Sequence, residues 1–368
     1  MDNPALVSFL LILGGIIAIE IGFSAAVLEL VAGALAANAF GIGPESWIDF
    51  LGNFGLLAIM FLAGFELKVD YVMEKIGAIS AIAVAAFAVP FCAVFILTFF
   101  LLGYGQPSSL LMATALSTTS IALVYPFLKE KRILERNEGS LMIASAASID
   151  MLSMFAMALI FGSGSFALLL VVPFFLLGVK GLPKIAKALF ARYKGNIAEI
   201  ELKFILFVLL GIAVFAETVQ IHAAIFVFFI GVVFSEVLQD YKTIEKKLRG
   251  ITFAFMAPLF FFKAGMLFDL SLFTYDAAFL TALLVVVGFV AKYVPTYLVA
   301  NRFISRKYSR IMACAFSYRL SFSVIAAVFG LENGLISTQI YSAILATVAM
   351  LAIVPSLILR ETPSEIEG

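Results

Sequence analysis

The sequence predicts an all-α polytopic membrane protein of about thirteen transmembrane helices. They are expected to form an inverted-topology repeat in which spans 5 and 12 are interrupted. Three observations predict this fold: an apolar composition, basic residues gathered in alternate loops, and two short matches at one spacing. Of 368 residues, 63% are hydrophobic and 13% charged, with 39 Phe against one Trp and one His. Mean hydropathy is +1.12, whereas soluble domains run at about 45–50% apolar and about 25% charged. An ordinary soluble enzyme, a disordered chain and a nucleic-acid binder are therefore excluded.

A bilayer core takes about 20 apolar residues per helical crossing. Runs of this kind, bounded by charge, Gly or Pro, open at 4–22, 24–40 and 47–66, the third ending at Glu66 and Lys68. Span 4 (76–103) runs from Lys75 to Gly103, span 5 (107–128) from Pro107 to Lys129, and span 6 (138–162) from Glu138 to Gly162. Span 7 (165–189) precedes a basic stretch at Arg192 and Lys194, and spans 8 (200–219) and 9 (221–238) flank a short turn at Glu217 to His222. Span 10 (250–268) ends at Asp269, and span 11 (273–300) at Asn301 and Arg302. Spans 12 (309–330) and 13 (336–359) complete the set, the last closed by Arg360.

Cytoplasmic loops carry an excess of Lys and Arg. Here 21 of the 24 basic residues fall in the loops after spans 3, 5, 7, 9 and 11, at the adjoining span ends, and at the C-terminus. The remaining loops hold acids instead, among them Glu45, Asp49, Asp269 and Glu332. An N-terminus outside and a C-terminus in the cytoplasm follow, and an even number of spans would scramble the segregation. The three other basic residues, Lys263, Lys292 and Arg319, lie inside spans 10, 11 and 12.

MATALS at 112–117 matches MACAFS at 312–317, an offset of 200 residues, and FLAG at 61–64 matches FKAG at 262–265, an offset of 201. The first pair places span 5 against span 12, the second span 3 against span 10. Seven spans separate each pair, and seven is odd, so the second half crosses the membrane upside down. Inverted repeats characterise secondary transporters, whose sites lie at mid-membrane on interrupted helices. Span 5 holds Ser117, Thr118, Thr119 and Ser120 and then Pro126; span 12 holds Ser317, Tyr318, Arg319, Ser321 and Ser323. Hydroxyl residues satisfy backbone groups freed where a helix unwinds. The alternative is that they line tight helix–helix contacts.

Asp150 lies mid-span in SAASIDMLSMFAMAL. A charge at that depth costs a few kcal/mol and is by default functional. Burial favours its protonated form and a neighbouring cation its ionised form, so it can hold a proton or a small cation but not readily both. That exclusivity is enough to run an exchanger; the alternative is a buried structural ion pair. Lys292, in VVVGFVAKYVPTYLV, is the expected partner of Asp150. Arg319 is expected to cap carbonyls exposed at the span-12 break, and Lys263 to snorkel its stem towards the outer surface. Glu29 and Glu217 are secondary supporting charges, and His222 is expected at a surface turn.

No phosphate-binding loop, HExxH or CxxC stands in the chain, so an ATP-driven motor, a cofactor and an enzymatic role are not expected. Cys92 and Cys314 sit in apolar runs and are expected as small core residues. The start MDNPALVSFL has no basic n-region, so no cleavable signal is expected, and too few residues follow span 13 for a nucleotide-binding domain.

Four segments carry a family resemblance. FSAAVLELVAGALAANAFG (23–41) is similar to the xxLGEIxAGIxLGP segment of the monovalent cation:proton antiporter-2 family, a sodium/proton exchanger-type membrane domain. NFGLLAIMFLAGFELKVDYV (53–72) resembles its GLxxLLFxxGLELD segment. EKKLRGITFAFMAPLFFFKAGMLFDL (245–270) resembles PxFFxxxGxxxDL, and YRLSFSVIAAVFGLENGLIS (318–337) resembles RGExxxVxAxxGLxxGxI. The resemblance runs in the family's order over nearly the whole chain.

It implies a dimerising scaffold of spans 1–3 (residues 1–75) and 8–10 (200–270). It also implies a mobile core of spans 4–6 (76–164) and 11–13 (271–368), with a linker helix in 165–199. Spans 5 and 12 are then crossing, discontinuous helices beside the ion site. Asp150 falls on the family's ion-binding aspartate and would take the monovalent cation, with Thr118, Thr119 and Ser148 completing the ion- and proton-binding set. Lys292 falls on the core lysine and Arg319 on the arginine of the second crossing. Three positions depart from the pattern: Ile149 replaces the usual Asp, Asn or Gln, Leu320 and Ser321 stand where a Glu is expected, and Lys263 occupies a place usually uncharged.

The expected function is therefore antiport of Na+ or K+ against H+ by alternating access. The protein would be a homodimer in a prokaryotic-type plasma membrane, with no cofactor and no nucleic-acid partner. A single acid suggests exchange nearer one-to-one than two-to-one. A sodium-coupled organic-anion symporter on a similar inverted-repeat fold is a second reading, and a channel or non-transporting sensor a third.

Overall fold

A computed structural model describes residues 4–21, 24–43, 45–65, 74–134, 136–161, 181–193, 198–218, 223–238 and 241–360. Among these residues the chain is helical throughout, with no strand. The helices are α1 (Pro4–Ile21), α2 (Ala25–Phe40), α3 (Ser46–Phe65), α4 (Ile76–Phe95), α5 (Gln106–Ala115), α6 (Ile121–Glu130) and α7 (Asn137–Phe161). They continue as α8 (Ile200–Thr218), α9 (Ala223–Leu238), α10 (Lys242–Ile251), α11 (Ala257–Met266), α12 (Tyr275–Ala300), α13 (Arg306–Ala315), α14 (Ser321–Glu332) and α15 (Thr338–Arg360). Most of span 7 lies outside the described residues, as do His222 and the side chain of Glu217; 181–193 are helical.

Seven helical segments among the described residues have the length and hydropathy to cross a bilayer: 4–21, 46–65, 76–101, 137–161, 242–266, 275–300 and 338–359. Two of them contain π-helical turns, Ile96–Leu101 after α4 and Thr252–Met256 between α10 and α11. The second turn ends two residues before Pro258, whose missing N–H leaves the carbonyl four residues earlier without its helical donor.

Span 5 is covered by α5 and α6 with residues 116–120 between them, and span 12 by α13 and α14 with 316–320 between them. Both starts, the first stop and the intervening residues repeat at the 200-residue offset of the MATALS and MACAFS match, whose last residues, Ser117 and Ser317, lie in the two gaps. Pro107 in the first turn of α5 suits its fixed φ and missing donor.

The chain divides into two compact units, one of Met1–Asp49, Tyr71–Met157 and Phe261–Gly368, the other of Phe50–Asp70 and Ala158–Phe260. In the first, α4 lies along α12 and against α5, α14 packs on α5 and α15, and α1 packs on α2. In the second, α8 packs on α9.

The FLAG and FKAG match marks a packing device. In the second unit, Gly64 of α3 faces the Phe228 carbonyl of α9, and Gly231 of α9 faces the Phe61 carbonyl of α3. In the first unit, Gly265 of α11 faces the Leu30 carbonyl of α2, and Gly33 of α2 faces the Phe262 carbonyl of α11. At each crossing both helices place a glycine on the partner's carbonyl, three residues after their own contributed carbonyl. A Cβ at any of the four would overlap that backbone oxygen. Helices without water between them gain from such backbone approach, through dispersion and Cα–H···O contacts.

Cys314 is buried, but Cys92 is exposed on α4, so only one of the two is a core residue; an apolar run fixes a helix but not which stripe faces the protein. Gly231→Ala should lower stability by about 1–3 kcal/mol, the cost of overpacking. Gly211→Ala on α8, where a Cβ meets nothing within 4 Å, should be neutral or stabilise by about 0.5–1 kcal/mol. Thermal unfolding of both variants in detergent measures the contrast.

Candidate ion-binding site

The helix ends around 116–120 and 316–320 expose carbonyls that a continuous helix would have paired, and none can be left bare in an apolar bundle. Serine hydroxyls satisfy the first: Ser117 Oγ donates to Ala113 O at 2.5 Å and, 200 residues on, Ser317 Oγ donates to Ala313 O at 3.1 Å. Others are satisfied across the two gaps. Ser120 N–H donates to Tyr318 O at 2.9 Å, Thr119 Oγ1 to Phe316 O at 3.1 Å and Ser323 Oγ to Ala115 O at 2.6 Å. Thr118 Oγ1 lies 3.0 Å from Ser323 Oγ. The two irregular segments are thus stitched to one another by backbone and hydroxyl groups, all of them buried.

Lys292 on α12 is 0% exposed and its ammonium donates to Ser117 O at 2.5 Å. Arg319 is also 0% exposed, and its Nη2 donates to Gly288 O on α12 at 2.8 Å. Gly288 stands one turn before Lys292, and a Cβ there would lie 3.4 Å from Arg319 Nη1. Both residues therefore bond across to another element. Arg319 reaches across to α12 rather than capping its own break, and Lys292 caps the exposed carbonyl of the other break. Position along a helix was readable, but the direction of a long side chain was not.

Asp150 on α7 is 7% exposed, and Lys292 feels the charges of both Asp150 and Arg319. One acid and two bases thus share a buried region, and uncompensated charge there is costly. The polar groups of the two stitched segments are hydroxyl and carbonyl oxygens, a donor type that suits a hard monovalent cation rather than a soft metal. Among the described residues no cluster of three or more His, Cys, Asp or Glu forms a metal centre.

Ser148 is half-buried and its hydroxyl donates back to Ala144 O at 2.8 Å. Thr118 and Thr119 lie at the stitched gap, with Ser323 as a further participant. Sequence reasoning did not single out Gly288 or Ser145. Gly288 could have been found as the small residue four before Lys292; Ser145, with a buried Oγ lacking a hydrogen-bond partner among the described residues, shares the small-residue run leading to Asp150. Glu29 is buried on α2, next to the Leu30 contact with Gly265. Lys263 does not snorkel to the surface. Its side chain is 5% exposed and pairs with Asp49 at 3.3 Å and Glu332 at 3.2 Å, because protein rather than lipid headgroup surrounds its stem.

A family model described as sodium/hydrogen exchanger, transmembrane, matches residues 6–362. The chain is 25% identical to the Na(+)/H(+)-K(+) antiporter GerN of Bacillus cereus, with 95% of this chain and 92% of that one covered. It is 23% identical to the Na(+)/H(+) antiporter of Enterococcus hirae over 95% and 94% of the two chains. Among solved structures, the sodium proton antiporter MjNhaP1 from Methanocaldococcus jannaschii matches with a TM-score of 0.74 at 17% identity, covering 96% of this chain and 94% of that one. This last likeness establishes the fold.

Ser323→Ala and Thr118→Val should each destabilise the protein, and their double variant should show a coupling of about 0.5–1 kcal/mol, the range of interhelical hydroxyl contacts in membranes. A thermal-unfolding double-mutant cycle reads that coupling, and simple additivity would mean the hydroxyl pair contributes nothing.

Proposed function

The chain belongs to the sodium/hydrogen exchanger transmembrane family, and on that premise we propose that it exchanges a monovalent cation, Na+ or K+, for protons across a prokaryotic-type plasma membrane. The observation that carries the reading is the stitched pair of gaps, with Lys292 on the Ser117 carbonyl and within electrostatic reach of Asp150. Proton and cation compete for Asp150: either one neutralises the carboxylate, so the site arrives at each face carrying one or the other. Thr118, Thr119 and Ser148 supply oxygen around the ion, and Lys292 and Arg319 hold the gaps against α12.

In this reading α5–α6 and α13–α14 are halves of two discontinuous helices that cross at mid-membrane, in a bundle of thirteen spans with the N-terminus outside and the C-terminus in the cytoplasm. A core of 76–164 and 271–368 moves against a scaffold of 1–75 and 200–270, joined by the 165–199 linker, and the scaffold forms the homodimer. Glu29 and Glu217 lie on the scaffold side as supporting charges. An organic-anion symporter has one observation in its favour: the Nε and Nη1 of Arg319 are buried without a hydrogen-bond partner among the described residues. Labelled-anion uptake without proton flux would select it.

The test is proton flux in proteoliposomes against a panel of Na+, K+ and Li+. Asp150→Asn should abolish cation-driven proton flux, and retained flux would sink the site assignment. With Ile149 beside Asp150, one acid handles one charge per cycle, so exchange should be close to one-to-one. Flux measured under a valinomycin-clamped membrane potential should then be nearly independent of voltage; one net charge moved is worth about 2.3 kcal/mol per 100 mV, so a steep dependence would overturn the stoichiometry.

A further inference from the structure

Contacts of α11 with four other helices lie in four consecutive residues. Phe262 and Gly265 fix the helix to α2 through the paired glycine contacts. Lys263 and Ala264, between them, reach elsewhere. Lys263 pairs with Asp49 in the first turn of α3 and with Glu332 at the end of α14. Ala264 O accepts the buried hydroxyl of Tyr341 on α15 at 2.6 Å. A little further along, Asp269 N–H donates to Ser342 Oγ at 3.3 Å. Lys263 is 5% exposed while each carboxylate is 47% exposed. The lysine is therefore the buried member, and the acids are its link to water.

On the proposed division into scaffold and core, these contacts differ in kind. Asp49 and Lys263 are both scaffold residues, whereas Glu332, Tyr341 and Ser342 belong to the core. All of them lie at the face of the acidic loops. We infer that Lys263 is an ionic latch that holds this face closed, with Asp49 as its permanent counter-ion and Glu332 as the partner it gains and loses. The division of labour answers a physical problem. A buried ammonium stripped of every partner costs several kcal/mol, so a latch lysine with one acid would either unfold its surroundings or never open. With Asp49 retained, only a partly solvated contact is broken when the core moves, and such contacts are cheap enough to cycle.

The latch also breaks the symmetry of the repeat. Leu62 stands at the first-half position matching Lys263, and Arg132 at the 200-residue counterpart of Glu332. Two identical halves would make the two closed states equal in energy. A salt link present at one end only biases the resting population towards closure of the acidic-loop face.

The inference rests on the antiporter reading and is tested separately from it. Spin labels go on Gly43→Cys of the scaffold, where added bulk meets nothing within 4 Å, and on the exposed Tyr275→Cys of the core, with Cys92 and Cys314 replaced by Ser. Pulsed dipolar distances are read in nanodiscs without any ion gradient. Glu332→Gln should raise the long-distance population at least about fivefold, and Lys263→Met, which leaves no buried charge, should do the same. Asp49→Asn should lower it, since it removes the counter-ion that stays with Lys263 when Glu332 departs. An unchanged distribution in both Glu332→Gln and Lys263→Met overturns the latch even in a protein that exchanges ions. Absent flux with these shifts intact would instead overturn the transport reading.

Discussion

In an apolar helical bundle, every buried carbonyl and N–H freed from a helix must find a hydrogen-bond partner. Residues 116–120 and 316–320 leave helical geometry in a fully buried region, and the rest of the site follows from how their polar groups are satisfied. Each segment solves part of the problem with its own serine, at Ser117 and Ser317, and a further part by pairing with the other, while Lys292 takes the Ser117 carbonyl. Neither irregular segment would be stable alone. The mutual arrangement also brings Thr118 against Ser323 and Thr119 against Phe316.

The two buried cations perform backbone work before they perform any electrostatic work. Lys292 on Ser117 O and Arg319 on Gly288 O tie α12 to both gaps. A group that holds structure through a donated hydrogen bond and also senses a nearby acid couples occupancy to geometry. On the proposed antiporter reading, a change of charge at Asp150 would alter the balance on Lys292, and with it the grip on the segment that carries Thr118 and Thr119.

Much of this was legible in the chain. Outside the irregular segments 116–120 and 316–320, most described residues of the apolar runs are helical, because spanning length and bounding charge are strong, one-dimensional signals. The hydroxyl clusters marked both irregular segments because only such residues can repair a broken helix in an apolar setting. Other features were illegible for a common reason: they depend on where a side chain points. Arg319 was placed beside the correct gap but bonds to Gly288; Lys263 was read as headgroup-seeking although Asp49 and Glu332, distant in sequence, receive it. Cys92 faces outwards in a helix whose composition gives no apolar stripe to orient it. The FLAG and FKAG match was visible as a repeat, but its meaning required the partner carbonyls on α2 and α9.

The glycine crossings have a consequence for how such a chain can diverge. Phe262 and Gly265 are held to α2 by their backbones, so the joint is indifferent to the identity of the residue between them at position 263. In the first half that slot holds Leu62 and in the second Lys263. The frame is rigid in its fixed letters and open in one, and a change in the open letter leaves the joint undisturbed. Two halves that began alike could therefore become functionally unequal through a single replacement. Sidedness in such a protein is cheap to acquire and equally cheap to lose.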